Sequence, residues 1–379
     1  MTSPDAQNTA PHIRPDLDAI AAYVPGKTVP GALKLASNEM AHAPLPQVTD
    51  AIAQTISTPE TSINRYPDMG TVALRNELAS HLGLPADNIT IGCGSSALCL
   101  QLVQITAGPG DEVIFPWRSF EAYPILTRIT GATPVAIPLN SEFRNDLDAM
   151  VDAITEHTRL IFVCNPNNPT GTTVTREEFE SFMARVPAHI VVALDEAYIE
   201  LADDTTRGTM LHSEEIVAKY PNLVGLRTFS KVYGLAGLRV GYAFGDTRVI
   251  EALNKVCIPF SVNTLAQVAA TESLRAGDEL RERIASVQEQ RVRVTTAINV
   301  AAGAEIVVPD SQANFVWIPE ERVASLGAAL GDDRLQTSVD LAAALADKKV
   351  LVRCFAGEGV RITVTTAEES DQLLAALGV

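Results

Sequence analysis

Seven apolar runs of strand length, separated by segments of helical periodicity, occupy the chain between residues 88 and 249. They are ITIGC, DEVIFP, ATPVAIPL, LIFVC, IVVAL, NLVGLRT and VGYAFG. This alternation predicts an α/β fold whose large domain holds a mostly parallel, seven-stranded sheet flanked by helices. Sheets of this kind bind ligands at the carboxyl ends of their strands. The residues that directly follow the apolar runs are therefore the first candidates for a functional site.

The pattern changes after residue 266, where long amphipathic segments begin, including DELRERIASVQEQRVRVTTAINVAA. Shorter strand patterns follow around ANFVWI, VLVRCF and VRITVT. These patterns predict a second, smaller α/β domain. We expect an N-terminal arm at residues 1–35, a small domain built from residues 36–60 and 267–379, and a large domain at residues 61–266.

Charge and cysteine content exclude several classes of partner. The chain has 46 acidic and 29 basic residues, and its formal net charge of −17 opposes nucleic acid and anionic membrane surfaces. No window approaches a membrane span and the first residues do not resemble a secretory signal, so we expect a cytoplasmic location. We expect no metal site, because the cysteines lack metal-ligand spacing and read as core residues of a reducing compartment. These cysteines are Cys93, Cys99, Cys164, Cys257 and Cys354.

The first candidate loop follows ITIGC and reads GCGSSA, from Gly92 to Ala97. Glycines let the backbone approach an anion, a helix start presents unpaired N–H groups, and the hydroxyls of Ser95 and Ser96 add donors. The loop therefore fits a phosphate cradle. Taken alone, it also fits a tight strand-to-helix turn in which one of the serines caps the helix, and the loop by itself favours this alternative.

Two further loops carry polar side chains at predicted strand ends. CNPNNPTG follows LIFVC and holds Asn168, whose amide can donate to a ligand oxygen, although the same prolines and glycine also describe a plain turn. Asp195 directly follows IVVAL, with Tyr198 three residues later. No histidine follows at metal-ligand spacing, so the carboxylate is suited instead to pairing with a protonated ring nitrogen.

The fourth loop, TFSKVYGLAGLRVGY, sets Lys231 among small and apolar residues. A buried ammonium is costly, so this lysine is either a paired structural charge or a reactive amine. Thr228, Ser230 and Arg239 around it form an anion site. A carboxylate, a phenol, an amide, an anion cradle and an amine at the strand ends of one sheet together describe a pyridoxal-phosphate site.

Specific motifs extend this interpretation over nearly the whole chain, from KLASNE to VRITVTTAEE, and include NRYPD, NPNNPTG, DEAY, TFSKVYGLAGLRVGY and SQANFVW. On these motifs the sequence resembles the fold-type I aminotransferases of class I/II, and within them the histidinol-phosphate/aromatic amino-acid aminotransferase family. The resemblance implies pyridoxal 5'-phosphate as the cofactor, bound by the large domain. It also implies amino acids and 2-oxo acids as substrates and a homodimer with shared active sites.

The resemblance assigns catalytic roles to Lys231, Asp195 and Tyr198, and a cofactor contact to Asn168. Lys231 would form the Schiff base with the cofactor and then shuttle the proton at the substrate's Cα. Asp195 would keep the pyridine nitrogen protonated. Asn168 and Tyr198 would hydrogen-bond the phenolic oxygen of the ring.

Further contacts with the cofactor are implied in the same way. Tyr66, in NRYPD, would reach the phosphate from the neighbouring subunit. Phe120, in WRSFEAYP, would stack on the ring, although an ordinary core phenylalanine is the alternative without the family context. The residues expected around the phosphate are Ser95, Ser96, Thr228, Ser230 and Arg239.

On the substrate side, Arg361 in GVRITVT matches the arginine that grips the α-carboxylate. Arg353 would help to bind an anionic group, with a surface salt bridge as the alternative. Further substrate-side candidates are Asn38, Asn314, Tyr23 and Phe260.

Departures from the histidinol-phosphate pattern favour the aromatic branch of the family. GSSA replaces GSDE or GSNE, and PF at Phe260 replaces PY, so a phenol that could reach a phosphate is missing. We therefore predict a phenylalanine/tyrosine aminotransferase that uses 2-oxoglutarate in a ping-pong mechanism. Histidinol-phosphate aminotransferase is the alternative within the family. A cofactor-binding regulator without catalysis, and decarboxylation or β-elimination on the same scaffold, are alternatives outside it.

Overall fold

The apolar runs all form strands in the computed structural model, which describes residues 11, 13–20, 26, 28–203 and 210–379. The strands are β1 (Leu33–Leu35), β2 (Ile89–Gly92), β3 (Glu112–Trp117), β4 (Thr133–Pro138), β5 (Thr158–Cys164), β6 (Val191–Asp195), β7 (Leu223–Thr228), β8 (Gly241–Gly245), β9 (Phe315–Pro319), β10 (Val350–Phe355) and β11 (Gly359–Thr363).

Helices connect and cover these strands. They are α1 (Pro46–Ser57), α2 (Val72–Leu82), α3 (Ser95–Thr106), α4 (Ala122–Ile129), α5 (Leu147–Asp152), α6 (Arg176–Arg185), α7 (Ser213–Ile216), α8 (Thr247–Val256), α9 (Thr264–Arg275), α10 (Gly277–Ala302), α11 (Glu320–Leu330), α12 (Ser338–Asp347) and α13 (Ala367–Leu377). In the described ranges, none of the helices combines the length and the apolar character needed to cross a membrane.

The larger sheet has seven strands in the order β2-β8-β7-β6-β5-β3-β4. Strand β8 runs antiparallel to β2 and β7, and the other neighbouring strands are parallel. Every residue of β2, β7 and β8 is buried, because helices cover both faces of the sheet. The predicted mostly parallel sheet is therefore confirmed.

The smaller sheet has the order β1-β10-β11-β9, with β1 parallel to β10 and the other pairs antiparallel. Its core includes residues of α10, α11, α12 and α13, which pack around Val316, Ile318 and Ile362. Helix α1, from the segment predicted to belong to the small domain, packs against α9. The domain boundaries stay a prediction.

The sheet register places the candidate loops at one edge. Cys164 at the end of β5 lies beside Asp195 at the end of β6, and Thr228 at the end of β7 lies beside Gly241 of β8. The start of α3 approaches the same edge so closely that a Cβ atom on Gly241 would lie 2.5 Å from the backbone nitrogen of Ser95. Glycine at this position therefore allows the helix start to sit against the strand ends.

Candidate active site

A cavity of about 510 Å³ opens where these strand ends meet the start of α3. Its wall combines the anion cradle, the lysine and the carboxylate that the sequence singled out. Of the predicted cofactor-binding residues, all but Tyr66 line the cavity: Ser95, Ser96, Phe120, Asn168, Asp195, Tyr198, Thr228, Ser230, Lys231 and Arg239.

One end of the cavity is built to hold an anion. Helix α3 begins at Ser95 after Gly94, which has no side chain to cap the first N–H groups. The hydroxyl of Thr228 donates to Ser230 Oγ at 3.0 Å, and Arg239 Nη1 donates to the same oxygen at 3.3 Å. A helix start, two hydroxyls and a guanidinium converge here, which is the donor set that a phosphate requires.

Position 94 requires glycine for two reasons, its backbone conformation and the arginine beside it. Its φ is +79°, a conformation that favours glycine, and a Cβ atom would lie 2.5 Å from Arg239 Nη2. The glycine therefore lets Arg239 lie against the loop that precedes α3.

Lys231 enters the cavity from the loop after β7, and its Nζ lies 5.3 Å from the centre of the Tyr198 ring. Burial lowers the pKa of Lys231 from its ordinary value of 10.5 to about 8, and the positive charges of Arg361 and Arg239 act in the same direction. The amine is therefore much closer to its neutral, nucleophilic form near neutral pH than an exposed lysine would be.

Asp195 lies at the base of the cavity, where burial raises the pKa of its carboxyl. Its Oδ2 accepts a hydrogen bond of 2.7 Å from the Tyr123 hydroxyl, and this bond opposes the effect of burial on the pKa. Its Oδ1 is buried and has no hydrogen-bond partner among the residues that the structure describes. A buried carboxylate oxygen without a donor is an acceptor for a protonated group of a bound ligand.

Asn38 connects Tyr198 to the strands of the small sheet. Its Nδ2 donates to the Tyr198 hydroxyl oxygen at 3.0 Å, and its Oδ1 accepts from Thr363 Oγ1 at 3.0 Å. The Tyr198 oxygen therefore already accepts one bond, and its own hydrogen is left to donate. Burial raises the pKa of Tyr198, so the phenol keeps that hydrogen near neutral pH.

Arg361 connects the cavity to β11. Its Nη1 donates to Asn168 Oδ1, and its Nη2 donates to the carbonyl oxygen of Ala36 at 2.7 Å. The guanidinium also lies 5.5 Å from the Phe315 ring. Because Asn168 Oδ1 is engaged, the amide orientation is fixed and Nδ2 is its remaining donor.

A family model described as aminotransferase class I and II matches residues 30–377. The chain belongs to this family. Aromatic amino acid aminotransferases are among its relatives. The one from Corynebacterium diphtheriae is 56% identical over 364 residues, covering 96% of this chain and 98% of the relative. The one from Corynebacterium glutamicum strain R is 53% identical over 366 residues, with the same coverage of 96% and 98%.

Solved structures give the same fold. The histidinol-phosphate aminotransferase from Sinorhizobium meliloti, in complex with pyridoxal-5'-phosphate, has a TM-score of 0.82 and 25% sequence identity, covering 98% of this chain and 97% of that one. The predicted family and the fold-type I class are therefore confirmed for this aminotransferase.

Several predicted site residues of this aminotransferase do not line the cavity. Tyr66 is 83% exposed and stacks on Phe260, with ring centres 4.7 Å apart, on a surface separate from the cavity. Asn314 donates from Nδ2 to the carbonyl oxygen of Asn38 at 3.2 Å, so it contacts the backbone of Asn38. Arg353 forms an ion pair with Glu121. Asn38 and Arg361 are also absent from the cavity lining, although they contact the lining residues Tyr198 and Asn168. Tyr23 lies outside the described residues, and all the site assignments stay predictions.

The structure also adds residues that the sequence did not single out. Tyr123, in α4, is the donor to Asp195, and its aromatic character in WRSFEAYP was the one available signal. Glu39 lines the cavity and forms an ion pair of 2.7 Å with Lys34. Its position at the end of KLASNE was the sequence signal that could have identified it. The remaining additions form the apolar and small part of the wall: Ser37, Ala122, Ile125, Leu126, Cys164, Ala197 and Ala236.

Proposed function

We propose that this aminotransferase binds pyridoxal 5'-phosphate and transfers the amino group of phenylalanine or tyrosine to 2-oxoglutarate. The observation that carries the proposal is the position of the Lys231 amine in one cavity with the anion cradle and the unpartnered Asp195 oxygen. The names of the relatives with 56% and 53% identity support the aromatic substrate class.

The residues of the cavity fit this cofactor group by group. The helix start with Ser95, Ser96 and Arg239 suits its phosphate. Asp195 Oδ1 suits its protonated pyridine nitrogen, and Asn168 and Tyr198 suit its phenolic oxygen. When bound, the cofactor supplies an electron sink for the negative charge that develops at the substrate's Cα.

The chain's own residues then bind, orient and move protons. Lys231 Nζ takes the proton from the substrate's Cα and returns a proton during the transfer, and its pKa of about 8 suits it to both steps. Asp195 holds the proton on the pyridine nitrogen through its free oxygen. Tyr198 donates its hydrogen to the phenolic oxygen while Asn38 fixes the orientation of its hydroxyl.

Two features in and beside the cavity support an aromatic substrate. Arg361, which contacts Asn168 of the cavity wall, offers a guanidinium to the planar α-carboxylate of the substrate. An apolar wall formed by Phe120, Ala122, Ile125 and Leu126 offers contacts to an aromatic side chain.

A second copy of the chain completes the proposed site. Ile63, Tyr66, Met69, Ile258 and Phe260 are exposed apolar side chains, with exposures from 42% to 83%. Apolar residues exposed to this degree are typical of surfaces that a partner covers. In the proposed homodimer, Tyr66 of each subunit reaches the phosphate site of the other.

Steady-state kinetics test the proposed substrates. We expect a higher kcat/KM for phenylpyruvate with glutamate than for histidinol phosphate with 2-oxoglutarate. The reverse preference would overturn the substrate assignment. Single-turnover release of phenylpyruvate from phenylalanine tests catalysis itself, because a protein that only binds the cofactor releases none.

A further inference from the structure

Helix α10 packs into the cores of both sheets. Val287 belongs to the core on one face of the larger sheet, and Leu280 and Ile284 pack against that core. Val294 and Ile298, further along the helix, belong to the core of the smaller sheet. Because α10 is fixed in both cores, its side chains can hold neighbouring segments at defined positions.

Arg283, in the first half of α10, bridges two segments that contribute residues to the cavity. Its Nη1 donates to the carbonyl oxygen of Val232 at 3.2 Å, and its Nη2 donates to the carbonyl oxygen of Ala43 at 2.7 Å. Val232 directly follows Lys231, and Ala43 lies in the segment between β1 and α1, residues 36–45. One guanidinium therefore joins the backbone beside the site lysine to the backbone of the other segment.

The backbone around Lys231 forms a turn that Arg283 supports. The amide of Gly234 donates to the carbonyl oxygen of Lys231 at 2.8 Å and closes the turn. Val232 is completely buried, so its carbonyl oxygen needs a partner, and Arg283 is the donor. A Cβ atom on Gly234 would lie only 3.2 Å from Arg283 Nη1, so the turn and the guanidinium are in close contact.

The position of this guanidinium is not explained by a gain in stability. Both acceptors are uncharged carbonyl oxygens, and burial lowers the pKa of Arg283, although the charge of Glu279 acts in the opposite direction. Removing a charge from water opposes folding, and an apolar side chain would not carry this cost. A half-buried arginine held in this way is better explained by the segments that it joins.

We propose that Arg283 is a positioning residue for Lys231, which holds the turn of the lysine against the segment 36–45 and so fixes the position of Nζ in the cavity. This inference rests on the proposed function, in which Lys231 is the reacting amine. The segment 36–45 carries Asn38, which donates to the Tyr198 hydroxyl, and Glu39, which lines the cavity. The bridge therefore sets the distance between the amine and these groups, while Arg283 itself does not line the cavity.

Chemical labelling of the cofactor-free protein tests the position of the amine without turnover. Trinitrobenzenesulfonate reacts with neutral amines, and mass spectrometry of the peptide that contains Lys231 gives the labelling rate at each pH. In the wild type we expect the half-maximal rate at about pH 8, because burial lowers the pKa of this lysine. Arg283→Met removes both donors, so the turn should open to water and the midpoint should move to higher pH.

Arg283→Lys separates the bridge from the charge. The variant keeps the positive charge, but one ammonium nitrogen cannot occupy the positions of two guanidinium nitrogens. We expect its labelling midpoint to move in the same direction as that of Arg283→Met. With the cofactor bound, both variants should show a kcat for phenylalanine about tenfold lower, with KM within about twofold of the wild type.

Arg291→Met is the matched control from the same helix. Arg291 Nη1 donates to the carbonyl oxygens of Leu201 and Ala313 at 3.1 Å and 3.2 Å, and the residue is 4% exposed. Its loss removes contacts of the same kind in segments other than the Lys231 turn. The labelling midpoint of Lys231 should therefore stay at the wild-type value.

The outcomes distinguish this inference from the proposed function. An unchanged midpoint in folded Arg283→Met and Arg283→Lys would overturn the inference. An equal shift in Arg291→Met would also overturn it, because the effect would then come from general loosening, and so would a wild-type midpoint in Arg283→Lys alone, because the charge would then act without the bridge. A wild type that labels as expected but releases no phenylpyruvate from phenylalanine would overturn the proposed function alone.

Discussion

The hydrogen bond from Tyr123 to Asp195 gives the most direct test of the cofactor site. The Tyr123 ring is completely buried and stacks on Phe162, with ring centres 4.5 Å apart and planes 13° apart. Its hydroxyl lies 2.7 Å from Asp195 Oδ2. Tyr123→Phe keeps the ring and its packing, and it removes only the donor to the carboxylate.

The sign and size of the effect follow from the carboxyl's environment. Burial raises the pKa of Asp195, and the bond from Tyr123 lowers it, so the variant's carboxyl has a higher pKa than the wild type's. A hydrogen bond to a charged group contributes about 1.5–3 kcal/mol. Because the ionised carboxylate is proposed to hold the ring nitrogen's proton, we expect kcat to fall about tenfold or more.

The pH dependence of kcat provides the assay. As pH falls, Asp195 of the variant takes up a proton before that of the wild type, so the acidic limb of the profile should move to higher pH. Tyr242→Phe is the matched control, because Tyr242 is equally buried and its hydroxyl lies near Arg227, not among the groups that shift the pKa of Asp195. An acidic limb that stays in place in Tyr123→Phe would refute the role of this bond.

Three further variants test the cradle and the charged groups. Gly94→Ala places a methyl group 2.5 Å from Arg239 Nη2, at a backbone φ of +79°. We therefore expect the Kd of the cofactor, measured by absorbance titration, to rise about tenfold. Gly108→Ala is the control and should leave the Kd unchanged, because no atom lies within 4 Å of its added methyl group. Between pH 8 and 10.5 the unfolded chain keeps the Lys231 proton that the folded chain has released, so urea melts of cofactor-free protein should show stability rising with pH. Lys231→Met should lack this rise in stability with pH. If the free energy of unfolding rose equally with pH in the variant and the wild type, the lowered pKa of Lys231 would be contradicted. Asp195→Asn should lower kcat by about 100-fold or more while Tm changes little, and near-normal turnover would exclude the assigned role.

The sheet and most of the cavity could be predicted because they depend on local patterns. Each apolar run forms a strand, and the carboxyl ends of neighbouring parallel strands must meet at one edge of the sheet. Asn168, Asp195 and Lys231 follow three such strands, so their convergence follows from topology. The glycines of GCGSSA predicted a backbone that approaches an anion, whereas the contact of Gly94 with Arg239 was not predicted.

Contacts between distant segments could not be predicted in the same way. Tyr123 and Asp195 are 72 positions apart, and Glu121 and Arg353 are 232 apart. No periodicity in the chain relates such positions, because the contacts depend on how α4 packs on the sheet and on the hairpin of β10 and β11. Phe260 shows the same limit, since its stacking on Tyr66 places it on an exposed surface that a single sequence does not identify.

The segment 120–123 contacts both ends of the proposed site, and the two ends should respond to different measurements. Tyr123 donates to Asp195, which is proposed to hold the proton of the cofactor's ring in every substrate complex, so the loss of this bond should reduce kcat for all substrates alike. Glu121 contacts Arg353, which lies opposite the arginine proposed to bind the substrate's carboxylate, so Glu121→Gln should change KM, by an amount that depends on the charge of the substrate. If both variants instead lowered kcat for all substrates to the same extent, the simpler explanation would be displacement of Phe120, which lies between them in the chain. The substrate dependence of the Glu121 variant therefore separates selection of the substrate from positioning of the loop.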